Sequence, residues 1–467
     1  MLLGFVFGYM IVSIMIGLYA SRFVKSSTDY VVAGRSLPIY ITIATVFATW
    51  FGSETVLGIP ATFIEEGLAG IVADPFGSSL CLILVGLLFA VPLYRMKLLT
   101  LGDFYKRRYN RTIEVLVSLF ICISYLGWVS AQIVALGLVM NILSDGAITH
   151  NQGMIIGMAI VMTYTLFGGM WSVALTDFIQ MSVIVIGLII IAIFISDHSG
   201  GVGAVISHAA ANEKLKFFPE WNLAGTLSFI AAWVTIGFGS IPQQDVFQRV
   251  MSAKNERVAK YGTITGGILY FFFAFIPIYL AYSALLIDPV TVQGQMADDS
   301  QIILPQLILS HTPVWIQIIF FGALISAIMS TASGTLLAPS VTFAENILKG
   351  FMPDLQDKKL LLIIRFCVVG FAGIILVFAL KSDLSIFEMV ENAYKVTLAG
   401  AFIPLLAGVY WSKASTGGAL TSIILGVGTW IACEIIAPEG MYPPQLAGLT
   451  ASAIGMVLGS LFFKQKN

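Results

Sequence analysis

Apolar stretches of about twenty residues follow one another from Leu2 to Phe463, parted by short loops that carry most of the charge. Backbone crossing hydrocarbon must satisfy its own hydrogen bonds, so each stretch is confined to a helix. The consequence is an all-α polytopic membrane protein. In order, the spans are Leu2–Ala20, Ile41–Pro60, Asp74–Tyr94, Thr112–Leu143, Ile155–Phe167, Phe178–Ile195, Leu223–Val250, Lys260–Leu286, Pro313–Ile347, Leu360–Leu380, Phe387–Trp411, Gly417–Ile436 and Gln445–Phe463, thirteen in all. At 58% hydrophobic and 10% charged residues, with mean hydropathy +0.93, the chain is too apolar to be one soluble domain. Leu2–Ala20 lacks a basic leader and an Ala-x-Ala exit, and reads as a retained helix.

Cytoplasmic loops retain lysine and arginine, so charge orients the chain. Twenty of the 24 basic residues fall on one side, six of them between Arg95 and Arg111, with Lys464 and Lys466 after the last span. Lys214, Lys216 and Lys381 are left for the other side, and Lys395 lies inside a span. Thirteen spans with the C-terminus cytoplasmic put the N-terminus outside, in a plasma (inner) membrane. Net charge −1 leaves no basic patch for a nucleic-acid partner.

Two spans are unfit to be regular helices. Ile41–Pro60 carries Gly52, Ser53, Glu54 and Thr55 at its middle, and a carboxylate deep in a bilayer costs at least about 2.5 kcal/mol. Glu54 is therefore expected to face a cavity, and a break at Gly52 to free backbone carbonyls for a cation. The competing account is a glycine kink with Glu54 capping a neighbour. The second break is Gly237-Phe-Gly-Ser-Ile-Pro242, followed by Gln243, Gln244 and Asp245. The breaks lie five spans apart, an odd number, so the two copies would cross in opposite directions as an inverted repeat.

A third polar stretch is Ser326–Gly334, in which Ala327, Ser330 and Thr331 share a helix face and offer a carbonyl and two hydroxyls. Such a face suits a hard monovalent cation, although small-residue faces more often mediate close helix packing. Pro339 should disturb this helix further on. Cys81, Cys122, Cys367 and Cys433 fall singly in apolar spans and read as small hydrophobes. No histidine lies in a span interior, so haem ligation is not expected. No nucleophile constellation, cofactor motif or Gly-x-x-x-x-Gly-Lys loop is visible, which disfavours a membrane enzyme and a primary pump. A channel would need a repeated filter, which is equally missing.

Asp29–Ser36, the broken Ala48–Gly58, Gly168–Gln180, Phe247-Gln-Arg249 and Ala327–Thr331, in that order on thirteen spans, resemble the sodium/solute symporter family. The resemblance covers almost the whole chain. It implies a LeuT-type five-plus-five inverted repeat with one extra N-terminal and two extra C-terminal helices: residues 1–38 as extra helix and loop, 39–196 and 223–412 as the repeats, 197–222 as an extracellular linker, and 413–467 as the last two helices. It further implies a co-transported sodium ion bound by the carbonyls of Ala48, Phe51 and Ala327 and the hydroxyls of Ser330 and Thr331. Asp177 corresponds to the family's acidic residue on the ion path, although an N-cap with Gln180 three residues on explains it as well. Ser333 fits a second sodium site and Gly334 does not.

The stretches around Ala48-Thr-Trp-Phe-Gly52 and Ile241–Arg249 are most similar to the family's choline-transporter branch, whose aromatic cage holds a quaternary ammonium. Trp50 and Trp128 match cage positions; Gln243 and Ser78 replace aromatics. A substrate with hydrogen-bonding ends is implied, bound by Trp50, Ser53, Glu54, Ser78, Trp128, Gln243 and Gln244, with Trp128 also explicable as a packing residue. Glu54, Asp74 and Asp245 disfavour an anion, so a zwitterionic, cationic or neutral polar solute, such as an amino acid or choline-like amine, is expected. The alternative is a monocarboxylate, sugar or vitamin. The acids could instead be protonated, or pair with a base such as Arg249.

Overall fold

The computed structural model describes residues 2–352, 355–438 and 440–463. Lys464 and Lys466, placed on the inner side by the charge argument, lie outside the described residues. Among these residues ten helices are long and apolar enough to cross a membrane, and two bent pairs bring the number to twelve. The helix His150–Ser199 has 50 residues, a length of about 75 Å against a hydrocarbon core of about 30 Å. It is divided at Gly169, where φ +52° and ψ −142° are not helical. Counted as two crossings, it restores the thirteen spans expected.

That division is narrower than the sequence indicates. The connection expected over Gly168–Asp177 contracts to Gly169, and the chain is helical again from Met170. The reason is steric on both sides. A Cβ at Gly169 would stand 2.5 Å from the Tyr30 carbonyl oxygen, and one at Gly17 would stand 2.6 Å from Ser172 Oγ. Gly17 lets the first helix, Leu2–Ala20, pack this closely against the resumed one, and Gly169 leaves room for Tyr30 of the short helix Ser27–Val32.

Apolar side chains face outward as lipid requires: Ile193, Phe272 and Phe366 are about two-thirds exposed. Polar groups collect inside. The two broken helices bend by 57° (Ile39–Trp50 with Glu54–Ala69) and 49° (Leu223–Gly239 with Gln244–Met251). In the first, Phe51 leaves the helical ladder at ψ 76°. In the second, Pro242 has no N–H to continue it, and Thr397 Oγ1 donates to the freed Gly239 carbonyl at 2.6 Å. Leu37 N–H bonds the Ser252 carbonyl and Leu37 O accepts from Lys254 N–H, each at 3.0 Å, tying the loop before the first broken helix to the loop after the second.

Basic loop residues act on helix ends. Arg108 donates to the Gly408 and Trp411 carbonyls at 3.0 Å, and Arg111 to the Ile347 carbonyl at 3.0 Å while pairing with buried Glu114 at 2.8 Å. Lys395, the span lysine, pairs with Glu434 of the following helix at 3.5 Å. The helix Val314–Thr342 continues past Pro339 without a break, and widens four residues on into a π-turn at Phe343–Ile347.

Candidate substrate and ion site

At the first break a single glutamine organises the backbone and the carboxylate together. Gln132 Oε1 accepts from the Ser53 N–H at 2.9 Å, and Gln132 Nε2 donates to Glu54 Oε2 at 2.7 Å. Thr55 Oγ1 donates to the Trp50 carbonyl at 2.7 Å, absorbing another backbone group released by the bend. A Cβ at Gly52 would meet Glu54 Oε2 at 2.7 Å, Thr331 Oγ1 at 2.8 Å and Gln132 Oε1 at 2.9 Å. Three oxygens from three helices thus converge where glycine leaves room.

The hydroxyl face of helix Val314–Thr342 meets this break. Thr331 Oγ1 donates to the Ala48 carbonyl at 3.2 Å, with Ala327 one turn earlier on the same buried helix. Phe51 sits at the break itself. Ser330 instead donates to Asp177 Oδ1 at 2.5 Å. Asp177 lies inside a helix and caps nothing, so the N-cap account does not hold. Its other oxygen faces Arg249 Nη2 at 3.6 Å, and Arg249 Nη1 faces Asp245 Oδ2 at 3.5 Å. A Cβ at Gly334 would lie 2.2 Å from Arg249 Nη2, so the guanidinium occupies the space that a side chain at Gly334 would take.

Beside the break stand three buried aromatic rings. Trp50 lies 5.1 Å from Trp128 and 5.3 Å from Tyr394, and Trp128 lies 5.4 Å from Tyr394, centroid to centroid. Tyr125 stacks on Trp128 at 6.0 Å, donates its hydroxyl to the Asp245 carboxylate and accepts the Asp245 N–H at 2.9 Å. Among the described residues Trp50 Nε1, Trp128 Nε1, Tyr394 OH, Ser53 Oγ and Glu54 Oε1 are buried and have no hydrogen-bond partner. Nearby, Asp74 accepts from Tyr270 OH at 2.6 Å and from Ser78, while its Oδ2 is free. Among the described residues neither Glu54 nor Asp74 has a lysine, arginine or histidine within ion-pair distance; the partner Arg249 serves Asp177 and Asp245 alone.

The remaining expected residues divide. Gln243 bonds Ser124 Oγ at 2.9 Å and Thr397 Oγ1 at 3.3 Å, joining the second break to two neighbouring helices. Gln244 is turned elsewhere, accepting the Leu101 N–H at 2.8 Å. Tyr394, Tyr125, Gln132 and Tyr270 were not anticipated. Gln132 was open to detection, being an amide in the middle of an apolar span; the tyrosines carry no such mark. Apolar cavities of about 390 and 450 Å³ lie on the flanks of the bundle, and only Ser124 of the residues above borders one.

The family model described as the sodium:solute symporter family matches residues 30–426. This chain belongs to that family. The symporter is 26% identical over 456 residues to the high-affinity choline transporter 1 of Caenorhabditis elegans, covering 91% of this chain and 76% of the relative. It is 25% identical over 485 residues to the osmoregulated proline transporter of Bacillus subtilis (strain 168), covering 98% and 94%. Among solved structures it is similar to a substrate-bound outward-open sodium-coupled sialic acid symporter, with TM-score 0.85 and 19% identity over 100% of this chain and 99% of that one. The fold is LeuT-type, and the symporter couples sodium to the import of a small polar solute across a membrane.

Proposed function

We propose that the symporter takes up a small amine-bearing solute, cationic or zwitterionic, at the aromatic group beside the first break. The observation that carries this reading is the Glu54 carboxylate: buried, without a basic partner among the described residues, and beside three aromatic rings, a residue type that attracts cations. A positively charged group offsets the cost of keeping that carboxylate out of water, whereas an anionic solute would add repulsion. Trp50, Trp128, Ser53 and Glu54 line the site, with Ser78 acting through Asp74 and Gln243 holding the second break. Gln244 supports the Leu101 turn.

Sodium is cargo in this reading, held by the carbonyls of Ala48, Phe51 and Ala327 and the hydroxyls of Ser330 and Thr331, with Asp177 on its path inward. The bonded pair Thr331 and Ala48 supports this assignment, since an ion inserted between them would replace a weak contact with two coordinating oxygens. An ion there links a broken helix to the intact Val314–Thr342 helix and thereby favours one arrangement of the two halves. The repeats are assigned to residues 39–196 and 223–412, with 1–38, 197–222 and 413–467 outside them. The N-terminus is assigned to the outside and the C-terminus to the cytoplasm of a plasma (inner) membrane.

Uptake into proteoliposomes, with and without an inward sodium gradient, tests the reading with choline, proline, a monocarboxylate and a sugar as solutes. Sodium-driven accumulation of an amine is expected. Accumulation of the monocarboxylate or the sugar alone would refute it.

A further inference from the structure

Of the carboxylates at the broken helices, Asp177 and Asp245 have Arg249, whereas among the described residues Glu54 and Asp74 have no basic partner. Each is fully buried. Each has one oxygen saturated by neutral donors: Gln132 Nε2 on Glu54 Oε2 at 2.7 Å, and Tyr270 OH at 2.6 Å with Ser78 on Asp74 Oδ1. Each has its second oxygen, Glu54 Oε1 and Asp74 Oδ2, buried and without a hydrogen bond among the described residues. Thr55 Oγ1 contacts Tyr270 OH at 3.1 Å, so the hydrogen bonds around Asp74 reach the residue next to Glu54 in the chain. An independent feature points to a ligand at the same place. Trp50 Nε1, Trp128 Nε1 and Tyr394 OH, on rings packed together beside the break, are buried and without a hydrogen bond among the described residues.

Resting on the site proposed above, we infer that the substrate's ammonium carries N–H donors, as in a primary or secondary amine, and that Glu54 rejects quaternary ammonium. Rings alone would accept either, because cation–π attraction requires charge and no donor. A free carboxylate oxygen does not. Against a quaternary nitrogen, whose surface is methyl, Glu54 Oε1 would be desolvated and still unbonded, and sites built to bond an N–H discriminate strongly against ligands lacking it. The free Trp50 and Tyr394 donors face the opposite need and suit a carboxylate or hydroxyl at the solute's other end. An amino or imino acid satisfies both sets at once.

The test is sodium-dependent thermal stabilisation of the purified full chain by two N-methylation series: glycine to trimethylglycine, and ethanolamine to choline, with proline alongside. Apparent affinity is expected to fall by about 100-fold or more at the step that removes the last N–H. In Glu54→Gln, which removes the charge but keeps an acceptor, the series should flatten. The N–H requirement is overturned if choline or trimethylglycine binds as well as its N–H analogues, or if no member of either series binds. Trp50→Ala separates this failure from failure of the site. Binding lost in Trp50→Ala with no step along the series refutes the inference alone, while binding that survives it refutes the site and the inference together. Should Glu54→Gln not fold, the wild-type series still decides.

Discussion

Individual residues in this protein are set by what they would leave unpaired. Arg249 neutralises Asp177 and Asp245 with almost no solvent access. Arg249→Met would strand two buried carboxylates, and a loss of about 3–5 kcal/mol is expected. Adding Asp245→Asn should return part of it, read as thermal midpoints in detergent; a single mutant as stable as wild type would contradict the ion pairs. The two hydroxyls beyond them differ in role. Thr331→Ala removes an oxygen bonded to the Ala48 carbonyl and should weaken apparent sodium affinity by about 1–3 kcal/mol. Ser330→Ala should do so as well, through a coordinating oxygen and through Asp177, which loses its donor. Sodium titration of transport measures both, and ion dependence unchanged in the pair would remove the site.

Between elements, glycine contacts decide how near one helix comes to another. A Cβ at Gly239 would fall 2.6 Å from the Tyr394 carbonyl oxygen, so Gly239→Ala must push the second broken helix away from the helix bearing Tyr394. About 1–3 kcal/mol of destabilisation is expected, together with weaker substrate binding, because Tyr394 completes the aromatic group. Gly203→Ala meets nothing within 4 Å and should be silent. Equal behaviour of the two variants in stability and binding assays would show that the contact is unimportant. Loop arginines belong to this scale too, since Arg108 and Arg111 hold helix C-termini that a reading of charge alone assigns only to a side of the membrane.

For the molecule as a whole, coupling requires that sodium and solute prefer the same arrangement of the halves. The Ala48–Thr331 contact and the Glu54–Gln132 contact lie on either side of Gly52, so at the proposed sites both ligands would act on one break. Sodium should therefore raise solute affinity, and solute should raise sodium affinity by the same factor. Equilibrium binding of each at fixed levels of the other measures this. Affinities that ignore each other would leave the break without a function.

The succession of membrane-spanning helices and both breaks are legible in the sequence because their causes are local. An unbonded amide or a carboxylate in hydrocarbon is costly wherever the rest of the chain lies, and Gly52, Glu54 and Pro242 declare it in place. Partners are another matter. Spans that are apolar on every side have no stripe to fix their rotation, and helix Val314–Thr342 is buried nearly throughout. Rotation is settled by close packing between segments far apart in sequence, at contacts such as Gly239 with Tyr394 and Gly17 with Ser172. Only the tertiary structure could therefore send Gln244 to Leu101, bring Gln132 to Glu54, close the aromatic group with Tyr394, and give Arg249 to Asp177 and Asp245 while leaving Glu54 and Asp74 without a basic partner among the described residues.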